Sequence, residues 1–397
     1  MKESSSELKI EKMKMSFDRH RSEAHVSIDQ YVRSCSVDLG QEVKKRAAVY
    51  LDQRYWIIIR DVTLNRRTDT ASLTLANLLK DLVRTGKVFC PISESVFVEL
   101  LKQEDLNTRR STAGVIDELS LGVTLIPESK RVGTELAHLL KSHSNPDSVY
   151  PLSWLVWSKL SYVLNVVHPT NTPFSTEDEL LIQKVFFDHM WDISLGEVVD
   201  RLDERPVPPI NLDPVAKRLN EENLALSNEV RSYRQAYLGE IAGLLSLYVE
   251  TAREILESTY AQDFGVDPSV TDAERRNHNR ELLSFFVQMF CKSEFAKQLP
   301  TIHIHASCHA AIRWDKKRRL KGNDLYDFHH AAAALAYCDL FLTERPLQIL
   351  LSLKHLALDR MFGCKVISDV SEAVNYLRKM SSTTWMPTHS KVSGILK

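Results

Sequence analysis

Short apolar runs that each deliver a carboxylate are the feature that most limits how this chain folds. Ala47-Ala48-Val49-Tyr50-Leu51 ends on Asp52, with Trp56-Ile57-Ile58-Ile59-Arg60-Asp61 close behind. Lys87-Val88-Phe89-Cys90-Pro91-Ile92 leads into Ser93-Glu94 and then Val98-Glu99-Leu100. Far along the chain, Asn323-Asp324-Leu325-Tyr326-Asp327-Phe328-His329-His330 opens a helix that continues into Ala331 to Ala334, and Tyr337-Cys338-Asp339-Leu340-Phe341-Leu342 then ends on Thr343-Glu344. Runs of this length, bounded by polar residues and helical patterns, suit the parallel strands of an α/β sheet. In such sheets a site forms in the crevice beyond the carboxyl ends of the strands. Asp52, Glu99, Asp327 and an acid after Leu342 all fall there. Carboxylates crowd together only where a cation offsets their repulsion, and hard oxygen donors suit Mg²⁺ or Mn²⁺.

In this order the segments resemble the PIN-domain nucleases, which include the toxin ribonucleases of bacterial toxin–antitoxin pairs. That family's pattern is an Asp closing the first strand and a Glu a turn or two into the helix after the second. An Asp before a small-residue helix and an acid after the fourth strand complete it. Asp52, Glu99 and Asp327 match the first three positions, and Asp324 is an extra acid one turn earlier. At the fourth the family often shows Thr-x-Asp, whereas Thr343 is followed by Glu344 and Arg345, so either Glu344 or Asp339 stands in. The resemblance covers about residues 46–140 and 301–380. It implies an α/β fold: a PIN-like parallel-sheet nuclease domain split by a mostly α-helical insertion. It also implies a metal-dependent endonuclease for RNA or single-stranded nucleic acid, with RNA favoured by the family alone. Asp52 and Asp327 would be the central metal ligands, and Glu99 would bind metal directly or through water. Asp324 with Glu344 or Asp339 would hold a second ion, and Thr343 would orient the attacking water or a ligand carboxylate. In such chemistry one metal lowers the pKa of the attacking water and a second, about 3.5–4 Å away, stabilises the leaving oxygen.

The remaining segments arrange themselves around these halves. Residues 1–45 read as a charged, partly disordered lead-in followed by a helix from about Val26 to Lys45. Residues 46–140 form the first half, with a helix around Leu73–Leu82 and a short strand within Gly122–Pro127. His143-Ser144-Asn145-Pro146-Asp147 marks a break before the insertion, 141–300. There, Leu226, Val230, Tyr233, Tyr237, Ile241, Leu244, Tyr248 and Ile255 keep close to a 3.6-residue period, which predicts one helix over Pro214–Tyr260, about 65–70 Å long. Gly239 and Gly243 are candidate kinks, and Arg205-Pro206-Val207-Pro208-Pro209 is a stiff linker before it. Leu282, Leu283, Phe285, Phe286, Met289 and Phe290 make a second apolar stripe, expected to pack within the insertion, with an oligomer or regulatory-partner face as the other use. Residues 301–380 form the second half, and 381–397 a tail.

Substrate contact has one strong candidate. Arg313-Trp314-Asp315-Lys316-Lys317-Arg318-Arg319-Leu320-Lys321 places six basic residues and a tryptophan just before Asp324. The cations would neutralise phosphates, and Trp314 would stack a base of a single strand. Arg66-Arg67, Arg109-Arg110 and Lys130-Arg131 read as ordinary surface pairs. The net charge of −1 argues against a uniformly basic binder, so contact would use such local patches.

Other signals are weaker. His305 and His309 have the i, i+4 spacing at which two imidazoles share one Zn²⁺, yet no HExxH or CxxC accompanies them. An ordinary amphipathic helix is the expectation there; for His329 and His330 the expectation is packing and helix hydrogen bonds, with contact to substrate or a metal-bound water as the other use. No apolar run approaches ~18 residues, so no membrane span is expected. Cys35, Cys90, Cys291, Cys308, Cys338 and Cys364 are scattered, as reduced thiols of a cytoplasmic protein would be. Two alternatives stay open: a nucleic-acid-binding or scaffold protein whose nuclease site has decayed, motivated by the irregular fourth acid, and a toxin or defence ribonuclease silenced by a partner on the insertion.

Overall fold

In the computed structural model, which describes residues 2–144, 146, 149–202, 211–264 and 272–382, helices surround a small parallel sheet. Its strands are β1 (Ala47–Leu51), β2 (Val88–Phe89), β5 (Leu340–Leu342) and β6 (Lys365–Ile367), while β3 (Val123–Leu125) and β4 (Trp157–Lys159) form a separate pair. The order is β2-β1-β5-β6, with every pair parallel. β3 joins beyond β2 through one parallel bridge, Ile92 to Thr124, and pairs antiparallel with β4. Val49 stands opposite Leu340 and Leu51 opposite Leu342, so strands from the two distant parts of the sequence lie side by side at the centre. All five residues of β1 are buried, which is why it reads as a continuous apolar run and not as an alternation.

Helices follow each strand closely. Gln53–Thr63 leaves β1 directly, and the Trp56–Arg60 run supplies its buried face. Glu94–Leu101 follows β2, and Gly322–Tyr337 precedes β5. Ala331 to Ala334 are all buried, and their small size lets Gly322–Tyr337 pack closely against the sheet and against helix Pro300–Trp314. Gly40 serves a similar close approach. A Cβ there would lie 2.2 Å from the Trp154 carbonyl oxygen, so only glycine lets helix Ile28–Val43 rest on the segment at Leu152–Leu155.

Three expectations change. The N-terminal lead-in is a helix, Lys2–Ser22, lying along Thr176–Trp191. It has no apolar face to announce it; its hold is polar, with Asp188 receiving His20 Nε2 at 2.8 Å and Arg19 and Tyr31 beside it. The single helix over Pro214–Tyr260 is two, Asp213–Ala225 and Tyr233–Phe264. Between them Val230 turns inward, and the Ser232 hydroxyl caps the second helix by accepting the Gln235 N–H at 3.1 Å. That helix runs unbroken through Gly239 and Gly243 and is about 48 Å long.

The second stripe packs, but not within the insertion alone. Phe286 and Phe290 share a core with Ile241 and Leu245, with Val132, Leu136 and Leu139 of helix Glu128–Ser144, and with Ile302 and Ala306 of Pro300–Trp314. The linker Arg205–Pro209, Asn145 and Asp147 of the expected break, and the tail from residue 383 lie outside the described residues. Cys90, Cys308, Cys338 and Cys364 are buried free thiols. Among the described residues, no helix is long and apolar enough to cross a membrane.

Candidate functional site

The carboxyl end of the central strand pair carries the acids. Asp52 follows β1 directly, and its N–H donates to the Leu342 carbonyl at 3.0 Å, which sets it beside Thr343 and Glu344 at the end of β5. Its carboxylate caps helix Gln53–Thr63, accepting the Tyr55 N–H at 3.3 Å. Burial pushes its pKa up to about 6; the Thr343 hydroxyl and His330 favour the charged form, while Glu344 works against it. Asp327, in the second turn of helix Gly322–Tyr337, is pushed up to about 7. Burial is again the main cause, with repulsion from Asp52, Asp324 and Glu344 adding to it and His330 opposing. Acids from three separate segments therefore feel one another at one end of the sheet.

His330 sits among them, fully buried. Its Nε2 lies 2.9 Å from Glu99 Oε2, and its Nδ1 lies 2.8 Å from the Tyr50 hydroxyl, which in turn meets Ser93 Oγ at 2.6 Å. Burial alone would disfavour the imidazolium, but the Glu99 carboxylate, followed by Asp52 and Asp327, outweighs it and raises the His330 pKa. Both ring nitrogens of an imidazolium donate, and both have an acceptor here. His330 is packed against Tyr50, with ring centroids 5.8 Å apart, and in addition pairs with Glu99. The signal in the sequence is its position three residues after Asp327, on the same helical face.

Thr343 is completely buried beside Asp52, and its Oγ1 has no well-formed hydrogen bond among the described residues. Glu344 is exposed at the N-cap of helix Arg345–Leu351. Asp324 is occupied by its own helix start: Oδ2 accepts the Lys321 N–H at 2.7 Å, and Oδ1 lies 3.5 Å from Arg318. Lys321 is the cap of that helix.

Asp339 does not belong to this cluster. It precedes β5, and its Oδ2 accepts the Ala48 N–H at 2.9 Å, at the opposite end of the sheet. Ala48 and Asp52 are four residues apart along an extended strand, about 13 Å. Of the two candidates, Glu344 is the one at the end of the sheet that carries Asp52.

The basic segment is divided. Arg313 is drawn into an ion pair with Glu240 of helix Tyr233–Phe264 at 2.9 Å, so it does not face solvent as a phosphate contact would. Lys316, Lys317, Arg319 and Lys321 are exposed, and so is Trp314, at 40%. Arg131, expected on the surface, is among the most buried side chains of the protein.

A buried carboxylate at Asp52, a half-buried one at Asp327 and an exposed one at Glu344, with the Thr343 hydroxyl beside Asp52, are a donor set that fits a hard divalent cation. No family model, no curated protein and no solved structure matches the chain.

Proposed function

We propose that this chain is a PIN-like, metal-dependent endonuclease acting on RNA or single-stranded nucleic acid. The observation that carries the reading is the convergence of Asp52, Asp327 and Glu344 at the end of β1 and β5, with Asp52 and Asp327 pushed up to about 6 and 7. Asp52 and Asp327 would hold Mg²⁺ or Mn²⁺, with Glu344 nearby and Glu99 held at one side by His330. When bound, the ion would supply a lowered pKa for the attacking water and charge stabilisation at the phosphoryl oxygens. The Thr343 hydroxyl, buried beside Asp52, would orient that carboxylate or the attacking water. Lys316, Lys317, Arg319 and Lys321, with Trp314, would position the strand. The buried thiols agree with a reducing cytoplasm.

The experiment is cleavage of labelled single-stranded RNA and DNA by the purified protein, with Mn²⁺ or Mg²⁺ against EDTA. Asp52→Asn and Asp327→Asn each keep volume and remove a charge, and each is expected to abolish metal-dependent cutting. Cutting that persists in both variants overturns the assignment. One observation favours a second reading: His330 is buried among the acids with its pKa raised by them, the kind of counter-charge that a decayed site without metal would require. In that case wild type and both variants bind single strands alike, and none of them cuts.

A further inference from the structure

We propose a second metal site, formed by Glu128, His305 and His329, that takes Zn²⁺ or a similar transition-metal ion. Each ligand comes from a different helix: Glu128–Ser144, Pro300–Trp314 and Gly322–Tyr337. One donor atom from each lies within 4.8 Å of the other two. His305 Nε2 and His329 Nδ1 both point at the same carboxylate oxygen, Glu128 Oε2, at 2.9 and 2.8 Å. In a tetrahedral zinc site with bonds of about 2.0–2.1 Å, donors stand about 3.3 Å apart. The two contacts to Glu128 therefore have to open by only about half an ångström to admit an ion.

The donor chemistry separates this cluster from the acidic end of the sheet. Two imidazoles and one carboxylate suit zinc, whereas oxygen donors alone suit magnesium or manganese. Surrounding groups hold the ligands in place. Glu94 accepts the Glu128 N–H at 3.0 Å, and Arg131 reaches Glu128 at 3.5 Å while its Nε donates to Thr301 at 3.2 Å. His309 stacks against His305 with centroids 6.4 Å apart and is itself packed edge-on to Phe328. The i, i+4 partner is thus a neighbour of the site, and its place as second imidazole is taken by His329 from the next helix. His305 and Glu128 are largely buried, but the His329 side chain is 38% exposed, which leaves a coordination position toward solvent. Three protein donors with an open fourth position is the arrangement zinc takes where it does chemistry rather than staple a fold.

The test is titration of chelator-stripped, full-length protein with Co²⁺ and then Zn²⁺, followed by visible absorption and calorimetry. One Co²⁺ per chain should give the intense visible bands of a low-coordinate nitrogen-containing site, and Zn²⁺ should displace it. Asp52→Asn,Asp327→Asn protein should keep those bands, which separates this site from the nuclease reading. His329→Ala and, independently, Glu128→Gln should weaken binding by at least about 100-fold and remove the bands. Equal melting of His329→Ala and wild type in EDTA would show that the fold is kept. Absence of the bands in wild type, or their survival in both variants, overturns the proposal.

Discussion

Glu99 and His330 stand 231 residues apart in the sequence and meet at 2.9 Å. His330 lies buried beside the acidic end of the sheet, and Glu99, Asp52 and Asp327 raise its pKa, which favours the imidazolium as their counter-charge.

Removing that cation should therefore cost stability, most of all without metal. His330→Ala leaves Glu99 without its imidazolium and strips a nearby positive charge from the two aspartates. Breaking a buried pair costs about 3–5 kcal/mol, and the partial exposure of Glu99 puts this one toward the lower end. Thermal melts in EDTA should show a loss of several degrees, partly restored by Mn²⁺. An unchanged melt would mean that His330 is neutral and only packed.

Stability should also fall as pH rises toward neutrality, the reverse of most proteins. Asp52 and Asp327 titrate at about 6 and 7 when folded, against an ordinary 3.8. Glu135, wholly buried and accepting from Tyr337 at 2.6 Å and from Thr301, is pushed up from 4.5 to about 7, chiefly by burial. Between about pH 4 and 7 the folded protein binds more protons than the unfolded chain, so stability is lost as pH rises through that window. The raised His330 acts in the same sense, its stabilisation present below 6.5 and lost as pH climbs through its folded value. Glu128 acts oppositely. Burial resists its charge, but His305 and His329 hold it well below 4.5, so its contribution is lost only in acid. In EDTA the melting temperature should be higher at pH 5 than at pH 7.5, and Mn²⁺ should narrow the gap. A flat profile would contradict these shifts.

Much of the fold is legible in the sequence because it is local. The apolar run into Asp52, the strand before Glu99 and the alanine helix after Asp327 declare themselves within a few residues, and β1, β2 and β5 lie inside the segments expected. What is illegible depends on register or long-range closure. Acids flank β5 on both sides, at Asp339 and Glu344, and only pairing with β1 decides which side faces Asp52. The Glu99–His330 pair and the Glu128–His305–His329 cluster join residues with no shared pattern. The helix at Lys2–Ser22 is held by charges on Asp188, which periodicity does not detect.

Gly40→Ala should destabilise the protein without touching the acids. The added methyl would meet the Trp154 backbone at 2.2 to 2.7 Å, and backbone yields less readily than a side-chain tip. Helix Ile28–Val43 would have to lift off, at a cost of about 1–3 kcal/mol or more. Chemical denaturation should show a lower midpoint, with metal-dependent cleavage retained at temperatures where the variant stays folded.

The basic segment offers the sharpest contrast between neighbours. Lys316, Lys317 and Arg319 are exposed, so replacing each by Ala should weaken single-stranded RNA binding and flatten its salt dependence. The logarithmic slope should shrink by about 0.7 for every phosphate that is no longer neutralised. Trp314→Ala should remove about 1–3 kcal/mol of stacking with little change in that slope. Arg313→Ala should behave differently from all of these, because its guanidinium is committed to Glu240. Its salt slope should match wild type, and its melting temperature should drop instead. Affinity measured across a salt series, beside thermal melts of the same variants, distinguishes the two behaviours. If Arg313→Ala flattens the slope as Arg319→Ala does, the ion pair with Glu240 opens when nucleic acid binds.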